Sequence, residues 1–241
     1  MFTNTQLKSI GFIHSPYKEK FAVPRQSGLV PSAKAELEIL PPYNDMNAFL
    51  GLESFTHLWL VFVFHKNRDS IEENRWQPMV RPPRLGGNKR IGVFATRSPC
   101  RPNPIGLSLV EFHGIKQVRG KIFLQLSNID LVDGTPIVDI KPYIPYADAK
   151  PDALAGFAQE MPQPLMEVHF SKQALQIIEQ VNHSYPELQQ LVTEVLQQDP
   201  RPAYKKDRAD SKIYAVHLSN FNISWINEGE ITTVMDIEPL V

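Results

Sequence analysis

The sequence predicts a mainly β protein: an N-terminal closed β-barrel over residues 1–147, followed by a small α+β domain over 148–241. Three observations predict it. The first part of the chain holds many short apolar or alternating runs and almost no 3.6-residue periodicity, the pattern of a barrel with varied loops. Prolines outnumber glycines, 21 to 12, so many connections between those runs are stiff. Near Tyr146 the composition changes to the small, polar ADAKPDALAG, and two amphipathic helical stretches follow.

Taken in order, SIGFIH at 9–14 reads as a strand. AKAELEIL at 33–40 alternates Ala33, Ala35, Leu37 and Ile39 with Lys34, Glu36 and Glu38, so it is a half-buried strand. Asn44 or Asp45 caps one short helix, DMNAFLGL. HLWLVFVFH at 57–65 is apolar on both parities, which predicts a strand buried on both faces. Further strands are expected at 91–95, 107–112, 121–127 and 137–141, then MEVHF at 166–170. Ser171 caps the helix KQALQIIEQVNHS, and Ser184 with Pro186 opens a second, PELQQLVTEVLQQ. Strands return at 213–217, 221–226 and 231–237, the last two joined by a turn at Asn227-Glu228-Gly229.

Hydrophobic residues make up 42% of the chain and charged ones 21%, enough apolar surface for a packed core. The longest apolar run, LWLVFVF, is far short of the ~20 residues of a membrane-spanning helix. No signal-peptide core precedes it, so a soluble cytoplasmic protein is expected. The single cysteine excludes an internal disulfide and a Cys-rich zinc site. Net charge is −1, but its distribution is uneven. From Asn74 to Val110 there is no acidic residue, while Arg75, Arg81, Arg84, Lys89, Arg90, Arg97 and Arg101 fall within that window. A second basic cluster, Lys205, Lys206 and Arg208, lies between Arg201 and Lys212. Clusters of this kind are either a solvated loop face or a patch for phosphates.

Residues 92–108, GVFATRSPCRPNPIGLS, stand out. Pro99, Pro102 and Pro104 remove three backbone donors, so neither a helix nor a central strand passes through. A rigid cationic loop between two strands is the outcome. Familiar nucleotide and metal motifs do not account for it. Gly86-Gly87 is followed by a strand and not by a helix, against a dinucleotide fold. Pro99-Cys100 has Asn103 where a zinc deaminase needs its second cysteine. The histidines show no HExxH spacing, and no metal site is expected. Cys100, between two arginines, reads as an inert loop thiol rather than a nucleophile, since no base is close in sequence. In DLVDGTPIVDIKPYI, a tight Asp133–Pro136 turn leads into Asp139, Lys141 and Tyr143, which share one strand face.

Five segments together, PRQSG, HLWLVFVFH, GVFATRSPCRPNPIGLS, DLVDGTPIVDIKPYIPYAD and DPRPAY, resemble the TsaA-like family, and within it the bacterial TrmO group. The first four cover the barrel and the last lies in the C-terminal part. The resemblance implies a homodimeric β-barrel enzyme that uses S-adenosylmethionine. It implies a tRNA substrate carrying N6-threonylcarbamoyladenosine beside the anticodon, methylated at N6. It implies cofactor contacts from Pro24, Arg25, Gln26, His65, Lys66, Arg97, Leu107 and the turn Asp133, Gly134, Thr135 and Pro136.

Chemistry gives these residues work. An arginine, Arg97 or Arg25, holds a carboxylate through a planar fork. Asp133 accepts from an ammonium or a ribose hydroxyl. Proline-rich loops lose little entropy when a ligand arrives. The acceptor nitrogen sheds a proton, and Asp139, Lys141, Tyr143 and His65 are candidate bases among which the sequence does not choose. Arg84, Lys89, Arg90, Arg101, Arg201, Lys205 and Lys206 are expected at tRNA phosphates. Two other readings stay open at this point: a non-catalytic RNA-binding barrel, and a small-molecule methyltransferase of the same family.

Overall fold

The computed structural model describes residues 6–66, 76–202 and 210–240. The first strands are β1 (Gly11–His14), β2 (Ala35–Ile39) and β3 (His57–Val63). The AELEI alternation of β2 sends Ala35, Leu37 and Ile39 inward. In β3, Leu58, Leu60 and Phe62 are buried, whereas His57, Trp59, Val61 and Val63 are only half covered. The expectation of burial on both faces is therefore corrected: a barrel has one interior, and the second apolar face of β3 lies on its outer wall. A short ribbon of β4 (Met79–Val80) and β5 (Ile91–Gly92) precedes β6 (Ile105–Val118), β7 (Lys121–Ser127) and β8 (Pro136–Pro142). Strands β1, β2, β7, β6, β3 and β8 pair in that order as a closed barrel, β8 returning to β1 through Ile137–Gly11 and Pro136–Phe12. Ile13, Leu37, Leu58, Leu60, Ile122, Leu124 and Ile137 fill the interior. Each stabilises the fold by roughly 1.5–3 kcal/mol through burial.

Two local expectations change. The strand expected at 91–95 stops after Gly92, because the chain turns into a 3₁₀ turn at Val93–Ala95. The Val93 amide bonds Pro78 and its carbonyl accepts from Thr96, so neither group is left for a ladder. DMNAFLGL forms two 3₁₀ turns, Met46–Phe49 and Leu52–Ser54, separated at Gly51, whose φ of 87° no helix tolerates. Asp45 does cap the first, accepting from the Asn47 amide at 2.9 Å.

Gly106 shows why the PNPIG run ends in glycine. A Cβ there would meet the Phe62 ring at 2.1 Å, because β6 enters the barrel directly across it. Gly106→Ala is expected to lower stability by about 1–3 kcal/mol through overpacking. A urea midpoint shift at unchanged m-value would read it.

The second part holds β9 (Glu167–Phe170), α1 (Lys172–Val181), α2 (Leu188–Gln197), β10 (Asp210–Leu218), β11 (Phe221–Glu228) and β12 (Ile231–Pro239). The sheet order is β10-β11-β12-β9, with β9 parallel to β12. Ser171 caps α1, accepting from the Ala174 amide at 3.0 Å. The cap expected at Ser184 is not made: α2 begins at Leu188, and the Ser184 and Tyr185 amides instead close a turn on the Val181 carbonyl.

The barrel and this sheet share one core. Tyr17 bridges to Leu218, the Ser219 amide bonds the Pro16 carbonyl at 2.7 Å, and Phe21 stacks on Trp225 with ring centroids 5.9 Å apart. From α2, Glu194 accepts from both the amide and the hydroxyl of Ser32, and Glu187 pairs with Lys34 at 2.7 Å.

Candidate functional site

The pairing of β1 with β8 and of β3 with β6 places the end of β1, the end of β3, the start of β6 and the start of β8 at one mouth of the barrel. The loops that carry the sequence motifs leave from this mouth.

Two groups of residues form there. In the first, the Phe64 amide bonds the Pro104 carbonyl at 2.9 Å, so the His65-Lys66 turn abuts the proline run. Lys66 Nζ donates to the Lys18 carbonyl at 2.8 Å. Lys18 in turn pairs with Asp133 at 3.0 Å. Asp133 also accepts from the Ser15 amide at 2.8 Å. Gly134 takes a φ of 76°, available to glycine without strain, and its amide bonds the Ile13 carbonyl. Thr135 is buried, its hydroxyl on the Val132 carbonyl. The His65-Lys66 pair and the Asp133–Pro136 turn are thus drawn together by residues 13–18.

In the second group, the Arg97 guanidinium donates to the Gln26 side-chain oxygen. Beside them sits Asp130, which accepts from the Ser108 hydroxyl at 2.6 Å and from the Ser27 amide. Burial pushes its carboxyl up to about 6, against the pull of Ser108, Ser27 and the Arg97 charge. Ser108 follows Leu107, whose side chain is half exposed at the mouth. Pro24 is buried, and Arg25 has its pKa lowered by burial, with the Asp199 charge opposing that shift. Asp130 and Asp133 stand three residues apart on the connection between β7 and β8, so the two groups share the mouth.

Sequence reasoning missed Asp130. Its signal was a lone acid between Ile129 and Leu131, both of which are buried.

A cavity of about 330 Å³ lies beside this mouth, lined by Phe21, Arg25, Pro83, Asn88, Pro200 and Arg201 among others. It joins the Pro24-Arg25-Gln26 segment to the basic loop at 83–88 and to the C-terminal DPRP run.

Of the expected phosphate contacts, Arg84, Lys89 and Arg90 are exposed, as is Arg81. Arg84 also donates to the Glu160 carbonyl. Arg101 is turned inward and donates to the carbonyls of Val93 at 3.1 Å and Thr96 at 2.7 Å, so it braces the loop. Arg201 is corrected: its side chain is 3% exposed and forms a two-pronged pair with Asp199, at 2.8 and 3.0 Å, so it presents no charge to a surface phosphate. Lys205 and Lys206 lie outside the described residues.

Asp139, Lys141 and Tyr143 do come together, on the outer wall of β8. Lys141 pairs with Asp139 at 3.0 Å, and the Tyr143 ring tilts against His57 and Trp59. Asp139 pairs across to Val61, which pairs to Leu107. Asp139 therefore stands two strands, about 10 Å, from Leu107 along the outside of the barrel. Cys100 is part-buried, its amide on the Ser98 hydroxyl.

Two family models match nearly the whole chain: tRNA-methyltransferase O N-terminal domain over residues 12–149, and TrmO C-terminal domain over residues 163–240. The chain belongs to the TrmO family. It is 53% identical over 234 residues to the tRNA (adenine(37)-N6)-methyltransferase of Escherichia coli K12, covering 97% of this chain and 98% of that one. It is 46% identical over 230 residues, 95% of each chain, to a Pseudomonas aeruginosa protein named a putative S-adenosylmethionine-dependent methyltransferase. The crystal structure of TrmO from P. aeruginosa superposes with a TM-score of 0.79 at 37% identity, covering 99% of both chains. The match to the TrmO structure spans the barrel and the C-terminal sheet alike. Among the described residues, no helix is long and apolar enough to cross a membrane.

Proposed function

We propose that this chain is an S-adenosylmethionine-dependent methyltransferase that methylates N6 of adenosine 37 in tRNA. The observation that carries the reading is the convergence of Gln26, Arg97, Lys66 and the Asp133–Thr135 turn on one barrel mouth, in a chain matched end to end by the TrmO family models.

The mouth fits the methyl donor group by group. Arg97 is exposed, and its bond to the Gln26 side-chain oxygen leaves further guanidinium donors for a carboxylate. Asp133 accepts from the Ser15 amide and pairs with Lys18, and a carboxylate has lone pairs beyond these for an ammonium or ribose hydroxyl. Leu107 offers an exposed apolar side chain to a planar ring. When bound, S-adenosylmethionine supplies an activated methyl for in-line displacement by N6. The protein supplies alignment, worth up to roughly 7–11 kcal/mol in favourable cases. The chain's proline loops hold Arg97 and Leu107 in place before the donor arrives.

Finer features extend this reading. Residues 1–147 bind the donor, and 148–241 add tRNA contact. The substrate adenosine carries a threonylcarbamoyl group, whose carbonyl weakens N6 and calls for a base; Asp139, Lys141, Tyr143 and His65 remain the candidates. A homodimer is supported by the apolar outer row of Val61, Val63, Ile105 and Leu107, the last two exposed. The protein works in the cytoplasm, where tRNA is.

Calorimetry with S-adenosylmethionine tests the core of the proposal. Wild type is expected to bind saturably, and Arg97→Ala to weaken binding by about 10–150-fold, the range of a hydrogen bond to a charged group. Nucleoside mass spectrometry of tRNA incubated with the protein and donor is expected to show a methyl group on adenosine 37. Absence of saturable binding by wild type sinks the reading.

A further inference from the structure

Phe94 is exposed to 70%, on the rim of the same loop that carries Arg97. Its backbone is not loose. Val93 beside it is 1% exposed, and the turn is fastened by the Val93 amide on Pro78 and by Thr96, whose amide and hydroxyl both bond the Val93 carbonyl. Trp76, itself 44% exposed, lies against Phe94 with ring centroids 6.2 Å apart and planes 26° from parallel. The Arg101 guanidinium sits 5.4 Å from the Phe94 ring centroid, held there by the Val93 and Thr96 carbonyls. The result is a fixed stack of two large rings facing solvent, backed by a cation turned into the loop. Arg81, Arg84, Lys89 and Arg90 of the same window are exposed, and no acid occurs in sequence from 74 to 110.

Flat exposed rings select a planar, apolar face, and the exposed cations of the same window, Arg81, Arg84, Lys89 and Arg90, favour an anion. A single-stranded nucleic acid supplies both at once, a base to stack and a phosphate to pair. The position suits the substrate. Phe94 is three residues from Arg97, so their Cα atoms lie within about 11 Å of each other. At about 3.4 Å of rise per stacked nucleotide, that is the reach of a few nucleotides.

We propose that Trp76 and Phe94 form a stacking platform for an unpaired base neighbouring the target adenosine in the RNA substrate. This rests on the reading of the chain as a tRNA methyltransferase. Stacking holds the flanking nucleotide, and the loop's rigidity fixes its distance from the donor.

The test is fluorescence anisotropy of a labelled anticodon stem-loop RNA titrated with the full-length protein, alongside calorimetry with S-adenosylmethionine and sedimentation. Trp76→Ala and Phe94→Ala are each expected to weaken RNA binding by about 5–150-fold. Phe94→Trp is expected to keep it, and Phe94→Leu, apolar without a π face, to lose it. Donor affinity and sedimenting mass should stay unchanged, as should the salt slope, since stacking releases no counterions. Equal RNA affinity for Phe94→Leu and Phe94→Trp overturns the platform, as does a fall in mass with RNA affinity intact, which would make this face a contact with a second copy. Wild type that binds donor but no RNA overturns both the platform and the tRNA reading. Wild type that binds RNA as tightly as the alanine variants overturns the platform alone.

Discussion

Asp199→Ala is expected to lower the stability of the fold by about 3–5 kcal/mol, the effect of leaving one member of a buried ion pair alone. The side chains of Asp199 and Arg201 are each 3% exposed. Asp199 accepts from the Arg201 Nε at 2.8 Å, from its NH2 nitrogen at 3.0 Å, and from the Arg201 amide at 3.3 Å. Truncation leaves a guanidinium with water excluded and its principal anion gone. At about 2–4 °C per kcal/mol for a chain of this size, the melting temperature should fall by roughly 6–20 °C. The same truncation removes a charge that supports the protonated Arg25, whose pKa burial already depresses. Replacing both partners by apolar residues of similar volume, Asp199→Leu with Arg201→Met, should recover part of the loss, because the buried guanidinium goes with its partner while Arg25 still lacks the Asp199 charge. A shift below about 1 kcal/mol for Asp199→Ala would mean that the pair is solvated and of the weak surface kind.

Asp130→Asn is expected to change how stability depends on pH. The native carboxyl titrates near 6, against 3.8 for an unperturbed aspartate. Between those values the folded chain holds a proton that the unfolded chain has released. Stability therefore falls as pH rises from about 4 through 6 and is level above that, a loss on the order of 3 kcal/mol. The ionisable groups around Asp130 are Arg97, which favours its charge, and Tyr17, whose phenol is pushed up by burial and then by the charges of Asp130 and Glu194, so it stays neutral throughout. Asparagine keeps the shape and removes the titration. The variant should match or fall slightly below wild type near pH 4.5, where it loses about 1 kcal/mol of hydrogen bonding. It should exceed wild type near pH 8. Urea midpoints at the two pH values decide it: a difference between the two proteins that is the same at both would refute the assignment. A chain that keeps a destabilising carboxylate between Arg97, Ser108 and Ser27 keeps it at the barrel mouth, and perturbed acids concentrate at functional sites.

Much of the architecture was legible because period-2 patterns are local. AELEI alternates in sequence and in burial, and Ser171 caps the helix it was expected to cap. What was not legible depended on partners remote in sequence. VFA has strand-forming composition, but Pro78 and Thr96 take its backbone groups and turn it into 3₁₀. Arg201 reads as a surface cation until Asp199 is found folded onto it. The segments that the resemblance singled out are brought to one mouth by the fold; periodicity alone would not have joined Gln26 to Arg97 across 71 residues. Asp130 stayed hidden because one acid between Ile129 and Leu131 carries no spacing, and its importance comes from Ser108, Ser27 and Arg97 on other segments. The outer face of β3 was misread for a related reason: an apolar strand looks the same in sequence whether its second face meets a helix, a partner or solvent.

Contacts of Ser32, Lys34, Phe21 and Tyr17 with the C-terminal part tie together the two regions that family models match separately. A nucleic acid touching both would meet a surface whose spacing is set once, at folding, and not adjusted as the substrate docks. Cutting the chain near residue 150 would accordingly uncover the barrel's own side of the shared core instead of freeing an independent catalytic half.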